Sequence, residues 1–183
     1  MILFSSFFQL LEGSAEMHKK DGEHPLGDIG QLVLLGLFLV VWVGDSFFLR
    51  VSTFLSDIVS VYTRLVLLSL ALIIAAYLAR SGHVVVNPEG RATGVVSTGA
   101  FRYLRHPLYL ASILTYLGLA VATASLLSLA ISAGIAVFYN YIEGYEEEAL
   151  LAKYGEEYSA YRIRTGKWVP VIRGKVGYTG TRK

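Results

Sequence analysis

The stretch LYLASILTYLGLAVATASLLSLAISAGIAVFYNYI, from Leu108 to Ile142, decides the fold of this chain, because it contains no charged side chain. Crossing the hydrocarbon core of a bilayer takes about 20 apolar residues in a helix. The stretch is therefore too long for one membrane span and barely long enough for two. Ala122-Thr123-Ala124-Ser125 in its middle predicts a tight turn, and the whole predicts a helical hairpin in a membrane.

Two further apolar segments precede the hairpin, at residues 29–48 and 59–79, and each is long enough to span a bilayer. Arg64 lies near the start of the second segment. Its long side chain is expected to reach the lipid headgroups, and the alternative is an inward-facing arginine with a functional role.

The composition agrees with a membrane protein and excludes several kinds of site. Of the 183 residues, 54% are hydrophobic and 16% charged, whereas soluble domains have about 25% charged residues. The absence of cysteine excludes disulfides and thiolate metal sites. The four histidines have no metal-ligand spacing, and a net charge of +2 is too small to indicate nucleic acid. We therefore predict a lipid bilayer as partner, with no metal and no nucleic acid.

The distribution of charge predicts the orientation. The segment between the second and third spans carries four arginines against one acid, Glu89, and the tail after Glu157 carries only basic charges. The positive-inside rule places both in the cytoplasm. Four spans then place the N-terminus, with Lys19 and Lys20, on the same side.

These patterns together predict an all-α, polytopic membrane helix bundle. It would have about four transmembrane helices, an interfacial N-terminal helix and a cytoplasmic C-terminal helical tail. The chain would form a single membrane domain, divided into an N-terminal interfacial segment (1–28), the first two spans (29–79), a cytoplasmic loop (80–107), the helical hairpin (108–142) and a cytoplasmic tail (143–183).

Two cytoplasmic segments carry most of the reactive side chains. In Thr98–Tyr109, Pro107 suits the first position of a helix, whose free N–H groups would lie beside Arg102 and Arg105 and attract an anion. The alternative is an ordinary start to a membrane helix, anchored by arginine and tyrosine.

The second segment, Glu143–Tyr161, is rich in glutamate and tyrosine. It continues the fourth span, so Glu146 is expected at the membrane surface or inside the mouth of the bundle. The alternative is a solvated acidic helix face. Three tyrosines are expected to dock the tail on the membrane surface, and three basic residues to bind anionic headgroups: Tyr154, Tyr158 and Tyr161, then Arg162, Arg164 and Lys167.

The order of these motifs resembles a known family. Thr98-Gly99, Arg105-His106-Pro107-x-Tyr109, the apolar hairpin, Glu146-Glu147-x-x-Leu150, Tyr154-Gly155-x-x-Tyr158-x-x-Tyr161 and Pro170 follow one another. This series is similar to that of the isoprenylcysteine carboxyl methyltransferases and their phospholipid methyltransferase relatives. The resemblance covers roughly residues 93–170.

The resemblance implies an enzyme that transfers a methyl group from S-adenosylmethionine, releasing S-adenosylhomocysteine, without a Rossmann domain. It implies catalytic roles for Arg105 and His106. His106 and the helix start would hold the amino-acid end of the cofactor, Glu146 a ribose hydroxyl or the ammonium, and two aromatic rings the adenine or sulfonium. The implied cofactor-binding residues are Thr93, Gly94, Val95, Val96, Phe101, His106, Pro107, Leu108, Tyr109 and Glu146.

Two departures from the family pattern leave the methyl acceptor open. Phe101 stands where the family usually has tyrosine, and Ile142 stands where an arginine orients the substrate carboxylate. The Ile142 position and Arg102 are therefore the substrate-site candidates, with Arg105 or Arg64 as other possible replacements for the missing cation.

The resemblance implies a lipophilic small-molecule or prenylated acceptor, for example the carboxylate of an isoprenylcysteine. A phospholipid, an amine or a thiol are the alternatives. The protein would sit in a prokaryotic inner membrane or the endoplasmic reticulum, with its active site facing the cytoplasm. A non-catalytic scaffold of the same fold is a competing hypothesis. A transporter is disfavoured, because ionisable residues lie only near the span ends.

Overall fold

The computed structural model describes residues 27–86 and 94–171, and within them the chain is helical. The predicted interfacial N-terminal helix lies almost wholly outside these ranges. An isolated parallel bridge, Leu104 to Gly166, is the single β-type contact in the described part. The elements are α1 (Gly27–Val43), a π-helical turn (Gly44–Leu49), a 3-10 turn (Phe54–Asp57), α2 (Val61–Val86), a 3-10 turn (Gly99–Arg102), α3 (Pro107–Thr123), α4 (Leu126–Tyr154) and α5 (Glu156–Arg164).

Three helices of the described part are long and apolar enough to cross a membrane: Ile29–Leu49, Val61–Gly82 and Leu126–Tyr154. The fourth apolar helix, Pro107–Thr123, is shorter. Large apolar side chains are exposed along α1 and α2, as expected for helices that face lipid. The prediction of an all-α membrane helix bundle is confirmed.

The turn of the hairpin lies where the sequence predicts it. Thr123 ends α3, Ala124 adopts a left-handed conformation with φ 55°, and Ser125 is the N-cap of α4. The Ser125 hydroxyl accepts a hydrogen bond from the Ser128 N–H at 3.1 Å, which satisfies one donor of the new helix. The hairpin therefore needs only Ala124 and Ser125 to connect α3 with α4.

Helix α2 is longer than the predicted second span, because it continues through Arg80 to Val86. The helix packs along α3. A Cβ on Gly82 would lie 2.7 Å from Leu108 Cδ2, and one on Gly118 would lie 3.1 Å from Ala71 Cβ, so glycine lets the two helices approach closely.

A buried polar cluster closes the end of the bundle that holds the hairpin turn. The Asp45 carboxylate accepts hydrogen bonds from the Ser52 N–H at 3.0 Å, the Ser52 hydroxyl and the Ser125 hydroxyl at 2.6 Å. The Leu127 N–H in turn donates to Ser52 Oγ at 3.0 Å. The cluster joins α1, the connection after it and the hairpin turn.

Arg64 does not reach out to headgroups, contrary to the expectation from sequence. Its guanidinium donates to the carbonyls of Ala122 at 2.9 Å, Val59 at 3.2 Å and Ser56 at 3.5 Å. Carbonyls at a helix C-terminus lack intrahelical partners, so Arg64 supplies a hydrogen-bond donor to the C-terminal end of α3. It lies at the end opposite the start of α3, about 25 Å away, and takes no part in a site there.

We expect Asp45→Ala to destabilise the protein by about 2 kcal/mol, because it leaves the buried Ser52 and Ser125 donors without their acceptor. The measurement is thermal unfolding in detergent. Asp57→Ala is the matched control, because Asp57 is exposed and its one short contact is with Ser56 at 3.5 Å. Equal melting temperatures for the two variants would contradict the role of the cluster.

Candidate functional site

The start of α3 directs the side chains of Arg105 and His106 towards α4. Pro107 occupies the first turn of the helix and His106 precedes it as a buried residue. Upstream, the 3-10 turn begins at Gly99 with φ 59°, a value that glycine accommodates best. The Ala100 N–H donates to Ser81 Oγ at 2.7 Å. This bond fixes the approach of the chain against α2.

The carboxylate of Glu147 on α4 is the centre of the site, and its side chain is 7% exposed. Its Oε1 lies 2.8 Å from Arg105 Nε and 3.2 Å from His106 Nε2, and its Oε2 lies 3.2 Å from Arg162 Nε. One carboxylate thus joins the start of α3, the helix α4 and the helix α5. The alternative of a solvated acidic face is wrong for this residue.

Glu146 lies beside this centre but is 30% exposed. The Tyr109 hydroxyl donates to its Oε1 at 2.5 Å, and its Oε2 lies 3.7 Å from His106 Nδ1. The rings of His106 and Tyr109 are 5.9 Å apart, and those of Tyr109 and Tyr139 are 5.0 Å apart. Two oxygens of a partly exposed carboxylate therefore border a group of aromatic rings.

The tail returns along the start of α3. The Arg105 N–H donates to the Gly166 carbonyl at 2.8 Å, and the Gly166 N–H donates to the Tyr103 carbonyl at 3.2 Å. Arg105 Nη1 also donates to the carbonyls of Thr165 at 2.6 Å and Arg162 at 3.1 Å. The donors of Arg105 are therefore hydrogen-bonded to Glu147 and to backbone carbonyls of the tail.

A second glutamate, Glu143, is fully buried one helical turn before Glu147. The Trp168 indole N–H donates to its two oxygens at 2.7 and 2.8 Å. The Lys167 ammonium lies 3.2 Å from its Oε2 and also donates to Asn140 Oδ1 at 2.6 Å. Arg162 and Lys167 were predicted to bind anionic headgroups. In the structure they form ion pairs with Glu147 and Glu143.

Among the other predicted cofactor-binding residues, Val95 and Phe101 contact α5, and Leu108 contacts α2. Thr93 lies outside the described residues, and Gly94, Val95 and Val96 are half-buried. The Val95 N–H donates to Glu157 Oε1 on α5 at 3.0 Å. The Phe101 carbonyl accepts from the Tyr161 hydroxyl at 2.7 Å. Leu108 packs on Gly82 of α2, and Pro107 is fully buried.

The substrate candidates do not present a cation to the site. Ile142 is 2% exposed and belongs to the inward face of α4. Arg102 is exposed, and its guanidinium lies 5.8 Å from the Tyr103 ring. Neither supplies the positive charge that the resemblance places at position 142.

Two of the tail tyrosines are buried as packing residues, Tyr158 and Tyr161. The Tyr158 hydroxyl has no hydrogen-bond partner in the described part of the chain. Burial, followed by the negative charge of Glu147, raises the pKa of Tyr158, so its phenol stays protonated. It is a donor without an acceptor, close to the charged cluster.

The residues present fit S-adenosylmethionine by the chemistry of their donors and acceptors. A ribose hydroxyl pair or an ammonium needs a carboxylate, which Glu146 offers with 30% of its side chain exposed. A sulfonium is attracted by aromatic faces, and the half-buried ring of Tyr109 lies beside Glu146. The orphaned Tyr158 hydroxyl adds a buried donor.

Four residues of this site were given no site role from sequence, although Glu147 stands in the motif Glu146-Glu147-x-x-Leu150 and Arg162 was predicted to bind headgroups: Glu143, Glu147, Arg162 and Trp168. A helical signal did exist for the two glutamates, because residues 139, 143 and 147 repeat every four positions on one face. The tryptophan offered no such signal, since its partner is 25 residues away.

Comparison with known proteins gives one match. Residues 59–157, more than half of the chain, match a family described as Phospholipid methyltransferase. Neither the curated proteins nor the solved structures contain a match. The matched range includes α2, α3, α4 and the start of α5, and hence Arg105, His106, Glu146 and Glu147.

We expect Glu147→Ala to lower stability by about 3 kcal/mol, because the largely buried guanidinium of Arg105 would lose its counter-charge. Thermal unfolding in detergent is the measurement. Glu148→Ala is the control, because Glu148 is the next residue along α4 and its side chain is exposed. Loss of the same size in both variants would show that Glu147 is not the centre of the site.

Proposed function

Because the chain belongs to the phospholipid methyltransferase family, it is a membrane methyltransferase, and we propose that it takes the methyl group from S-adenosylmethionine and gives it to a lipophilic acceptor. The observation that carries the proposal is the pair of neighbouring glutamates. Glu147 is buried and fully paired, whereas Glu146 is partly exposed beside His106 and Tyr109. The first holds the site together, and the second faces a ligand.

The cofactor would be held at the start of α3. Glu146 binds a ribose hydroxyl pair or the ammonium through its oxygens, and Tyr109 fixes that carboxylate by its 2.5 Å hydrogen bond. His106, held by Glu147 at 3.2 Å, lies beside the same carboxylate, and Gly94–Val96 remain candidates that contact Glu157 of α5. Arg105 is a positioning residue, since its donors are engaged by Glu147 and the tail.

The bound cofactor supplies an already activated methyl group, so the protein has mainly to align the acceptor and exclude water. A phospholipid amine is the acceptor that this chain suits best. An amine releases a proton when it is methylated and needs no cation to orient it, so it leaves the pairs of Arg105, Arg162 and Lys167 with Glu147 and Glu143 intact.

A second acceptor is the carboxylate of an isoprenylcysteine, which needs no base but needs a cation to orient it. Two cations at the mouth of the site favour this candidate: Lys167 is 27% exposed and Arg162 is 53% exposed. Each is already paired with a glutamate, so this acceptor would compete with an existing ion pair.

We place the site on the cytoplasmic side of the membrane. The basic residues Arg80, Arg102, Arg105 and Arg162 gather at the end of the bundle that holds the site, in agreement with the positive-inside rule. The acceptor then enters from the cytoplasmic leaflet.

We expect the purified protein to bind S-adenosylhomocysteine in isothermal titration calorimetry. His106→Ala and Glu146→Ala should each weaken binding about tenfold, because a hydrogen bond to a charged group is lost. Glu148→Ala is the control and should bind like the wild type. If folded wild-type protein does not bind, a non-catalytic scaffold is favoured over an enzyme.

The acceptor is tested with the wild type in nanodiscs, by transfer of a labelled methyl group to phosphatidylethanolamine and to a farnesylcysteine analogue. We expect label in the amine lipid. Label in the farnesylcysteine analogue alone would replace the amine by the carboxylate as the acceptor.

A further inference from the structure

The fully buried carboxylate of Glu143 has no role in holding the cofactor as proposed above. Taking a carboxylate out of water costs several kcal/mol unless donors surround it. Here the side-chain donors are the Trp168 indole and the Lys167 ammonium, at 2.7 to 3.2 Å. Both come from the tail, so the carboxylate fixes the tail on α4.

The same short segment, Thr165–Trp168, is held from its other side by the start of α3. Arg105 binds the carbonyls of Thr165 and Gly166, and Gly166 donates back to Tyr103. We call this segment the tail strap. Its backbone is bound to the start of α3, and its last two side chains are bound to α4, so the ring of Trp168 has a fixed place.

That place lies between the charged cluster and the apolar core. The Trp168 ring packs on the core cluster of Phe38, Ile113, Tyr116, Ile135 and Tyr139, against which Tyr109 also packs. Its indole N–H meets Glu143, while the residue as a whole is only partly buried. A lipophilic acceptor must pass this boundary, since its chain belongs in the core and its reacting group beside Glu146.

We propose that Trp168 is the acceptor-side wall of the site, and that Glu143 and Lys167 are the positioning residues that hold its ring. This proposal rests on the proposed function. A rigid aromatic ring offers a large contact area to the part of the acceptor where the apolar chain joins the polar head. Trp168 meets Glu143, whereas Glu146 meets Tyr109 and His106, so we expect different variants to affect acceptor affinity and cofactor affinity.

The separation is tested by steady-state kinetics of methyl transfer in nanodiscs, with phosphatidylethanolamine and the farnesylcysteine analogue as acceptors. We expect Trp168→Ala to raise the KM for the acceptor about tenfold or more. The Kd for S-adenosylhomocysteine should stay within about twofold of wild type. Trp168→Phe keeps a ring and should recover part of the KM, and Glu143→Gln should raise KM without changing that Kd.

The chain contains two tryptophans, and the other one provides a matched control. Trp42 packs on the same core cluster and donates its indole N–H to the Leu119 carbonyl at 3.2 Å. Trp42→Phe therefore removes a comparable hydrogen bond away from the charged cluster, and it should leave the acceptor KM unchanged.

The Trp42→Phe variant also makes Trp168 the sole tryptophan, so its fluorescence reports binding without turnover. We expect its emission to change in a saturable way when either acceptor probe is added to protein in phosphatidylcholine nanodiscs. The proposal is overturned if the Trp168 emission stays unchanged when each acceptor probe is added to protein that binds S-adenosylhomocysteine. It is also overturned if Trp168→Ala loses cofactor affinity as strongly as acceptor affinity, which would indicate a purely structural role. Failure of the wild type to bind S-adenosylhomocysteine would instead count against the proposed function.

Discussion

The burial of the Glu147 carboxylate is the constraint on which the half of this bundle that holds the site depends. A carboxylate at this depth is tolerated only if donors surround it, and its three side-chain partners come from separate parts of the chain, Arg105, His106 and Arg162. The start of α3, the helix α4 and the helix α5 must therefore converge. Convergence places Glu146, the next residue back along α4, beside Tyr109, so the position of the partly exposed carboxylate follows from that of the buried one.

The two ends of the bundle are stabilised by different means from its middle. Between them α2 and α3 pack through small residues such as Gly82 and Gly118, since apolar helices in lipid gain little from the hydrophobic effect and rely on close packing. At the far end, Asp45 and Arg64 bind the serines and carbonyls that the turns leave unpaired.

Much of the fold follows from the sequence, because hydropathy and helix length are local properties. The uncharged stretch from 108 to 142 and the turn at Ala124 are visible without any structure. The extension of α2 beyond residue 79 was missed, because Arg80 marks the end of the apolar stretch but a charged residue does not end a helix. Arg64 was misplaced because its acceptor, the Ala122 carbonyl, is 58 residues away.

The site was less predictable, for reasons of helical phase and sequence separation. Three consecutive glutamates, 146 to 148, are equivalent in composition, but successive residues on a helix point about 100° apart. Which of them is buried depends on how α4 rotates to place Tyr139 and Ile142 in the core. The tail strap is harder still, since the partners of Glu143 are Lys167 and Trp168, and nothing near either residue in sequence marks the pair.

The balance of charge within the described site bears on the acceptor. Arg105 and Arg162 share the single carboxylate of Glu147, and Lys167 pairs with Glu143. Glu146 has contacts with a tyrosine hydroxyl and, at 3.7 Å, a histidine ring, so it is the acid of the site without an arginine or lysine partner in the described part of the chain. To orient a carboxylate acceptor, Lys167 would have to give up Glu143. That carboxylate is fully buried and would keep the indole as its side-chain donor, at a cost of several kcal/mol. An amine approaches the same mouth without breaking an ion pair.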